Sequence, residues 1–437
     1  MPPSITPSAA PLSYDAIVVG SGPGGAMVAR DLARGGRRVL ILEQGSAAAL
    51  NGSVAQMARM AAIPGRGAFF NQDGSLLVRA VTAGGSSAIN FATAMAPPLP
   101  YFARYGVDLA PALALLRREL PMAPLPEALV GPMARRIMDA AGALGHDWQK
   151  LDKMIYPDLC RSGCWRCLYG CPFGAKWTAR NMLDDALAAG ATLISDATAR
   201  RVLVEGGRAR GVEFRHRGQA RQALAKVVVL AGGGIGSPRL LHASGLAPAG
   251  ARHFSDPVIA VSGVVERLDG GAEVPMAAGM HLEAEGVMLA DMALPQAMYQ
   301  ALTAQAGRLD RLFAHRRSMT IMVKIRDQLG GRIGPRWVNK ALQPDDRRKL
   351  RRGVELARGI LREAGARHVF QSLHFAAHPG GSVRIGDGVD HNLRSATGQL
   401  FVCDASVIPE AWGLPPTLTL LCLGTRLAAH LEQQLLR

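Results

Sequence analysis

Near the start of the chain the order of apolar and polar positions has the rhythm of a βαβ unit. Residues 16–19 form an unbroken apolar run of strand length, the stretch GSGPGG follows, helical spacing continues from about 26 to 34, and a second apolar run over 39–42 ends at Glu43. Unbroken runs of this kind suit strands covered on both faces of a parallel sheet. Between 200 and 226 the pattern changes. Seven arginines alternate with patches such as RVLVEGG and ARGVEF, which predicts a small antiparallel meander with one wet face. From 345 to 365, Leu350, Val354, Ala357 and Leu361 recur at helical spacing with arginines between them, so an amphipathic helix with a basic outer face is expected. Residues 400–402 are a short apolar run, and Pro416 opens a long helix in whose first turn a missing N–H costs nothing. No internal repeat is present, and the only low-complexity stretch is the Ala/Pro-rich first dozen residues.

With 49% hydrophobic residues among 437, the chain has material for two or three domains. No apolar run reaches the roughly 18 residues of a membrane-spanning helix, because segments such as 227–235 are short and interrupted by glycine. The opening MPPSITPSAAPLSYDA has neither a charged start nor an apolar centre, so the expectation is a soluble cytoplasmic protein, with export alongside a partner subunit left open. A net charge of +16 admits nucleic acid, anionic lipid or an acidic protein as partner. Aromatic residues are 5% of the chain and do not interleave with the basic ones as a base-stacking platform requires, so no nucleic-acid partner is expected.

The glycine-rich turn carries the first chemistry. Gly20 lets the chain turn, Gly22 lets backbone approach a pyrophosphate, and Gly25 lets helix and strand pack closely. The helix start then turns N–H groups and partial positive charge toward the phosphates. Glu43, 18 residues beyond Gly25, can accept hydrogen bonds from an adenosine ribose. This unit alone does not choose between NAD and FAD. Further along, Gly84, Gly85 and Ser86 form a turn small enough for a flat ring or a phosphate to come close, and Asn90 adds a side-chain hydrogen bond.

Three longer stretches carry a resemblance. RAVTAGGSSAINF (79–91), AGGGIGSPRLLHASGL (231–246), and HPGGSVRIG with LFVCDASVIPEAWGLPPTLTL (378–420) resemble, in order, the signatures of the glucose–methanol–choline (GMC) oxidoreductases, above all the cholesterol-oxidase and long-chain alcohol-oxidase branches. The resemblance implies FAD and an α/β fold: a discontinuous Rossmann-like FAD-binding domain over 13–92, 185–254 and 379–437, with a smaller α+β substrate-binding cap over 93–184 and 255–378. It implies that Asp404 and Ala405 hold the FAD phosphate and ribityl chain, and that Pro416 and Thr417 start a helix facing the flavin pyrimidine edge. It also implies that His378 is the catalytic base, with His374 a nearby alternative. Where the family places a second histidine or an asparagine this chain has Pro415, which offers no polar side chain.

Four cysteines, Cys160, Cys164, Cys167 and Cys171, fall in the pattern C-x3-C-x2-C-x3-C and are followed by Pro172. Disulfides fit poorly among neighbours so close in a reducing compartment. Zinc usually takes two C-x-x-C pairs far apart. The last three cysteines and the proline reproduce part of a ferredoxin run, and similar cysteines in the gluconate and glucose dehydrogenase branch hold an iron–sulfur cluster. A cluster is therefore the leading expectation, with zinc and free thiols as alternatives. Cys403 and Cys422 fall on apolar stretches and are expected in the core.

Together these features lead to an FAD-dependent dehydrogenase that oxidises an alcohol by hydride transfer to flavin N5 and passes electrons through the cluster to a cytochrome or quinone. A cluster-free oxidase using oxygen is one alternative; a non-redox or electron-transfer flavoprotein is the other, suggested by Pro415. The methionine-rich segment 272–299 suits a hydrophobic or sterol-like alcohol, and suits an ordinary core segment equally well.

Overall fold

The computed structural model describes residues 12–246, 250–335 and 337–436. Its first layer is a seven-stranded sheet ordered Thr192–Ile194, Val39–Leu42, Leu12–Val19, Gln219–Leu230, Arg208–His216, Ala197–Glu205, with Leu400–Val402 also pairing to Gln219–Leu230. The long strand Gln219–Leu230 changes character along its length. Its first half closes the antiparallel meander and is largely exposed, whereas its last four residues are buried and pair in parallel with Leu12–Val19. The switch from alternating to continuous apolar residues in the sequence is this change of environment.

Helix Pro23–Arg34 begins three residues before the expected start. Glycines have poor helix propensity, yet proline at the first helical position is preset for it and Gly22 serves as the cap. The helix packs against Ala179–Ala188 and the C-terminal helix Thr417–Leu435. Gly424 permits that approach, since a Cβ there would lie 2.8 Å from the Cβ of Met27.

The second layer is a nine-stranded sheet centred on the buried antiparallel pair Pro257–Val264 and Ser318–Ile325. Helix Pro344–Glu363 covers one face, burying Leu350, Val354, Ala357 and Leu361 as the spacing predicts. On the other face Met276, Met288, Met292, Met322 and Phe370 are buried, with Phe91 and Phe375 against them.

Two segments lie elsewhere than the sequence suggested. The hairpin Ala68–Phe70 and Leu76–Val78, within the first expected FAD segment, joins the second sheet through Phe375–Ala376. Much of 93–184, including Phe102, Leu113, Leu116, Met154 and Trp177, packs into the core of the first layer. Apolar spacing shows that a face is buried, and is silent on which layer buries it. Among the described residues, no helix is long and apolar enough to cross a membrane.

Candidate active site

The turn after the first strand is built from close backbone contacts. Gly20 has φ +105°, and a Cβ on it would sit 2.3 Å from the carbonyl oxygen of Ala231. A Cβ on Gly25 would sit 2.2 Å from the oxygen of Gly20. Gly22 differs: its backbone is extended, with φ −66°, and no atom lies within 4 Å of where its Cβ would be. The amides of Gly24 and Gly25 at this helix start have no acceptor among the described residues. Open space in front of free N–H donors fits a dinucleotide pyrophosphate.

Glu43 is buried beside this turn. Its Oε2 accepts from the Ser21 amide at 3.0 Å and the Ser21 hydroxyl at 2.7 Å, and its Oε1 from the Gly45 amide at 2.6 Å. The carboxylate thus braces the glycine turn, a task the sequence did not reveal, and Oε1 keeps a lone pair for a ribose hydroxyl. The Ser21 hydroxyl accepts in turn from the Gly84 amide at 3.0 Å, bringing the second signature against the first. Gly84 and Gly85 both have positive φ, and a Cβ on Gly85 would lie 3.0 Å from the Cα of Gly22. Ser86 is exposed and its hydroxyl accepts from the Ala80 amide. Arg79, also missed, donates to the carbonyls of Arg66 at 2.9 Å and Gly232 at 3.3 Å.

The C-terminal block closes the site. Asp404 Oδ2 accepts from the Gly233 amide at 2.9 Å and the Ser237 hydroxyl at 2.5 Å, and Oδ1 from the Ser406 amide at 2.8 Å. Burial raises its carboxyl pKa against these donors. The Ala405 carbonyl takes the Gly381 amide at 2.9 Å. Pro416 caps helix Thr417–Leu435, and Asn90 Nδ2 donates to the Thr417 hydroxyl at 3.2 Å, so positions 327 residues apart meet at the helix start.

His378 stands on the loop between these parts. Pro379 touches the second glycine turn, with its carbonyl oxygen 2.0 Å from a Cβ built on Gly234. The imidazole Nδ1 lies 3.1 Å from Asp256 Oδ2, its Nε2 has no partner among the described residues, and 26% of the side chain is exposed. Asp256, fully buried and absent from the sequence reading, also accepts from the Gly413 amide at 2.9 Å, linking the His378 loop to the one that enters the C-terminal helix. Burial lowers the His378 pKa, the Lys324 ammonium lowers it further, and Asp256 opposes both. His374 is held apart, paired with Asp73 at 3.1 Å. Pro415 adds no polar group, as its residue type dictates.

The cysteine run gives the expected cluster no support. All six cysteines are free thiols, and among the described residues no group of three or more His, Cys, Asp or Glu side chains is placed to hold a metal ion. Cys167 is buried and Cys160, Cys164 and Cys171 are half-buried. Burial first, then the neighbouring Cys167, pushes the Cys160 thiol up to about 11. The placement of these side chains thus lends no support to a cluster or to zinc among the described residues. What the segment does show is a buried lysine, Lys176, that ties it to the turn after Gly84; a second, Lys153, joins Phe91 to the chain at 275–276. Lys176 Nζ donates to the carbonyls of Ala88 at 2.7 Å, Asn90 at 3.0 Å and Cys167 at 2.7 Å. Lys153 Nζ donates to those of Phe91, Pro275 and Met276. Burial lowers each ammonium to about 8.

The family model for GMC oxidoreductases matches this arrangement in two parts, an N-terminal one over residues 14–262 and a C-terminal one over 331–424. An uncharacterized GMC-type oxidoreductase of Mycobacterium tuberculosis is 31% identical over 95% of this chain and 75% of its own length. A long-chain-alcohol oxidase of Arabidopsis thaliana is 24% identical over 95% of this chain and 68% of its own. Among solved structures, pyridoxine 4-oxidase from Mesorbium loti shares the fold at TM-score 0.75 and 19% identity, covering 95% of this chain and 98% of that one. Formate oxidase does so at TM-score 0.76 and 15% identity, over 98% and 99%. With the glycine cradle, the facing Gly84–Asn90 wall and the histidine loop in place, the chain belongs to the GMC oxidoreductase family, an FAD-dependent oxidoreductase.

Proposed function

We propose that the protein oxidises a hydrophobic primary alcohol to the aldehyde, with His378 as the base and molecular oxygen as the electron acceptor. The observation that carries this reading is the His378 imidazole: Nδ1 is occupied by Asp256, Nε2 has no partner among the described residues, and the ring is partly open. Bound FAD supplies the hydride acceptor, flavin N5. The hydroxyl proton goes to His378 Nε2 as the C–H hydride leaves, which is the work of a general base. The amides of Gly24 and Gly25 and the brace of Glu43 hold the dinucleotide. The start of helix Thr417–Leu435 offers positive potential to a reduced flavin. In this reading the seven-stranded layer is the FAD domain and the nine-stranded layer the substrate cap.

The relatives named as long-chain-alcohol oxidases support a hydrophobic substrate. Relatives and neighbours named as oxidases support oxygen, and no electron step is routed through the thiols. The reaction balances as alcohol plus oxygen giving aldehyde plus hydrogen peroxide. The test is oxygen uptake by the FAD-loaded protein with primary alcohols from butanol to hexadecanol, and one peroxide per aldehyde is expected. Flavin reduced by alcohol yet stable in air would remove oxygen from the reading. Failure of every alcohol to reduce the flavin would remove the alcohol.

A further inference from the structure

Strand Ser318–Ile325 is buried along its whole length, yet it carries a lysine. Lys324 is 1% exposed and its ammonium donates to no acceptor among the described residues. A buried ammonium without a hydrogen bond costs several kcal/mol, so its placement needs a reason. The opposite charge it meets is Asp256 Oδ2, at 3.9 Å, the same oxygen that faces His378 Nδ1. In the sheet Lys324 lies opposite Val258, two residues past Asp256.

Asp256 is itself fixed from several sides. Its backbone has φ +49°, a conformation aspartate tolerates better than most residues, and its amide donates to Asp327 Oδ1 at 3.0 Å. Asp327 also takes the Ser255 amide and hydroxyl at 3.1 Å and the Lys340 ammonium at 3.0 Å. A second buried lysine–aspartate pair therefore holds the backbone on which the first is built.

We propose that Asp256 and Lys324 are positioning residues for His378: the Lys324 ammonium faces the Asp256 carboxylate, and the carboxylate, which can only accept, fixes the proton on Nδ1 and leaves Nε2 as the lone pair turned to substrate. This rests on His378 being the base. It also gives the site with Pro415 a substitute for a second substrate contact, since rigid presentation of one base replaces a two-point grip on the oxygen.

Four variants separate the possibilities by stopped-flow flavin reduction: Asp256→Asn, Lys324→Met, His378→Ala and the double of the first and third. Asp256→Asn can donate to Nδ1 and stabilise the wrong tautomer. Its limiting reduction rate should fall on the order of 10²- to 10⁴-fold with the half-saturating alcohol concentration little changed. Lys324→Met should lower the rate by at least about tenfold, and adding Asp256→Asn to His378→Ala should cost nothing more. Wild-type limiting rates in FAD-loaded Asp256→Asn, with only melting temperature or FAD content lowered, would overturn the proposal. A slow His378→Ala beside a fast Asp256→Asn defeats this inference alone; a fast His378→Ala defeats the base assignment. If Asp256→Asn does not fold, ¹⁵N NMR of histidine-labelled wild type, with the signal assigned by its loss in His378→Ala, still decides. The Nδ1–H tautomer is expected, and the Nε2–H tautomer contradicts the proposal.

Discussion

A neutral imidazole accepts a proton and a charged one does not, so the environment of His378 sets the pH range of the reaction. Burial and Lys324 lower its pKa from the ordinary value near 6.5, with Asp256 pulling the other way. The acid limb of the flavin-reduction rate should therefore lie below pH 6.5. Lys324→Met removes a cation that disfavours the charged ring, so its limb should move to higher pH. A pH series of reduction rates checks both, and an unmoved limb in the variant would show that Lys324 does not reach the imidazole electrostatically. At this scale the sequence singled out His378 for its setting in HPGGSVRIG and left its neighbours Asp256 and Lys324 hidden. Asp256 sits in an ordinary loop, and its importance comes from Ser318–Ile325 and Gly413, remote in the chain. Lys324 did leave a trace, as the lone charge in SMTIMVKI, where a buried cation implies a nearby anion.

At the scale of elements, the strand–turn–helix at the N-terminus was legible because its logic is local: glycines at fixed offsets between two apolar runs. The three glycines nonetheless do different work, and substitution should separate them. Gly22→Ala adds a Cβ with no atom within 4 Å and keeps an allowed backbone, so stability should change by no more than about 1 kcal/mol while FAD is lost on gel filtration. Gly25→Ala drives a methyl to 2.2 Å from the Gly20 carbonyl oxygen, so the fold itself should lose roughly 3 kcal/mol, read by urea unfolding of the FAD-free protein. Equal effects on folding in the two variants would refute this division. The facing wall was less legible. Asn90 and Thr417 meet across the whole chain, and the structure also turns Ser86 to the Ala80 amide. Such pairings depend on which elements become neighbours, which resemblance suggested and local pattern could not.

Over the whole molecule, the two halves of the first sheet follow from the kinds of apolar run, continuous in the parallel strands and alternating in the meander. The assignment of segments to layers did not follow, as the hairpin Ala68–Val78 and the 93–184 segment show, because a buried face carries no label for what buries it. The cysteine run is the sharpest divergence. Its spacing suggested iron, while the folded segment holds partly buried thiols with no gathered ligand set among the described residues, its backbone tied at Cys167 to Lys176. Purified protein should carry flavin without stoichiometric iron or acid-labile sulfide, and Cys167→Ser with Cys171→Ser should keep its rate of flavin reduction by alcohol; iron at several atoms per chain would reverse this. The central claim, that His378 draws the proton as an alcohol gives hydride to FAD, is tested most directly by anaerobic mixing with a long-chain primary alcohol while flavin absorbance is followed. Wild type should bleach fully, and FAD-loaded His378→Ala should bleach about 10²- to 10⁴-fold more slowly. Equal rates in the two proteins would contradict the account.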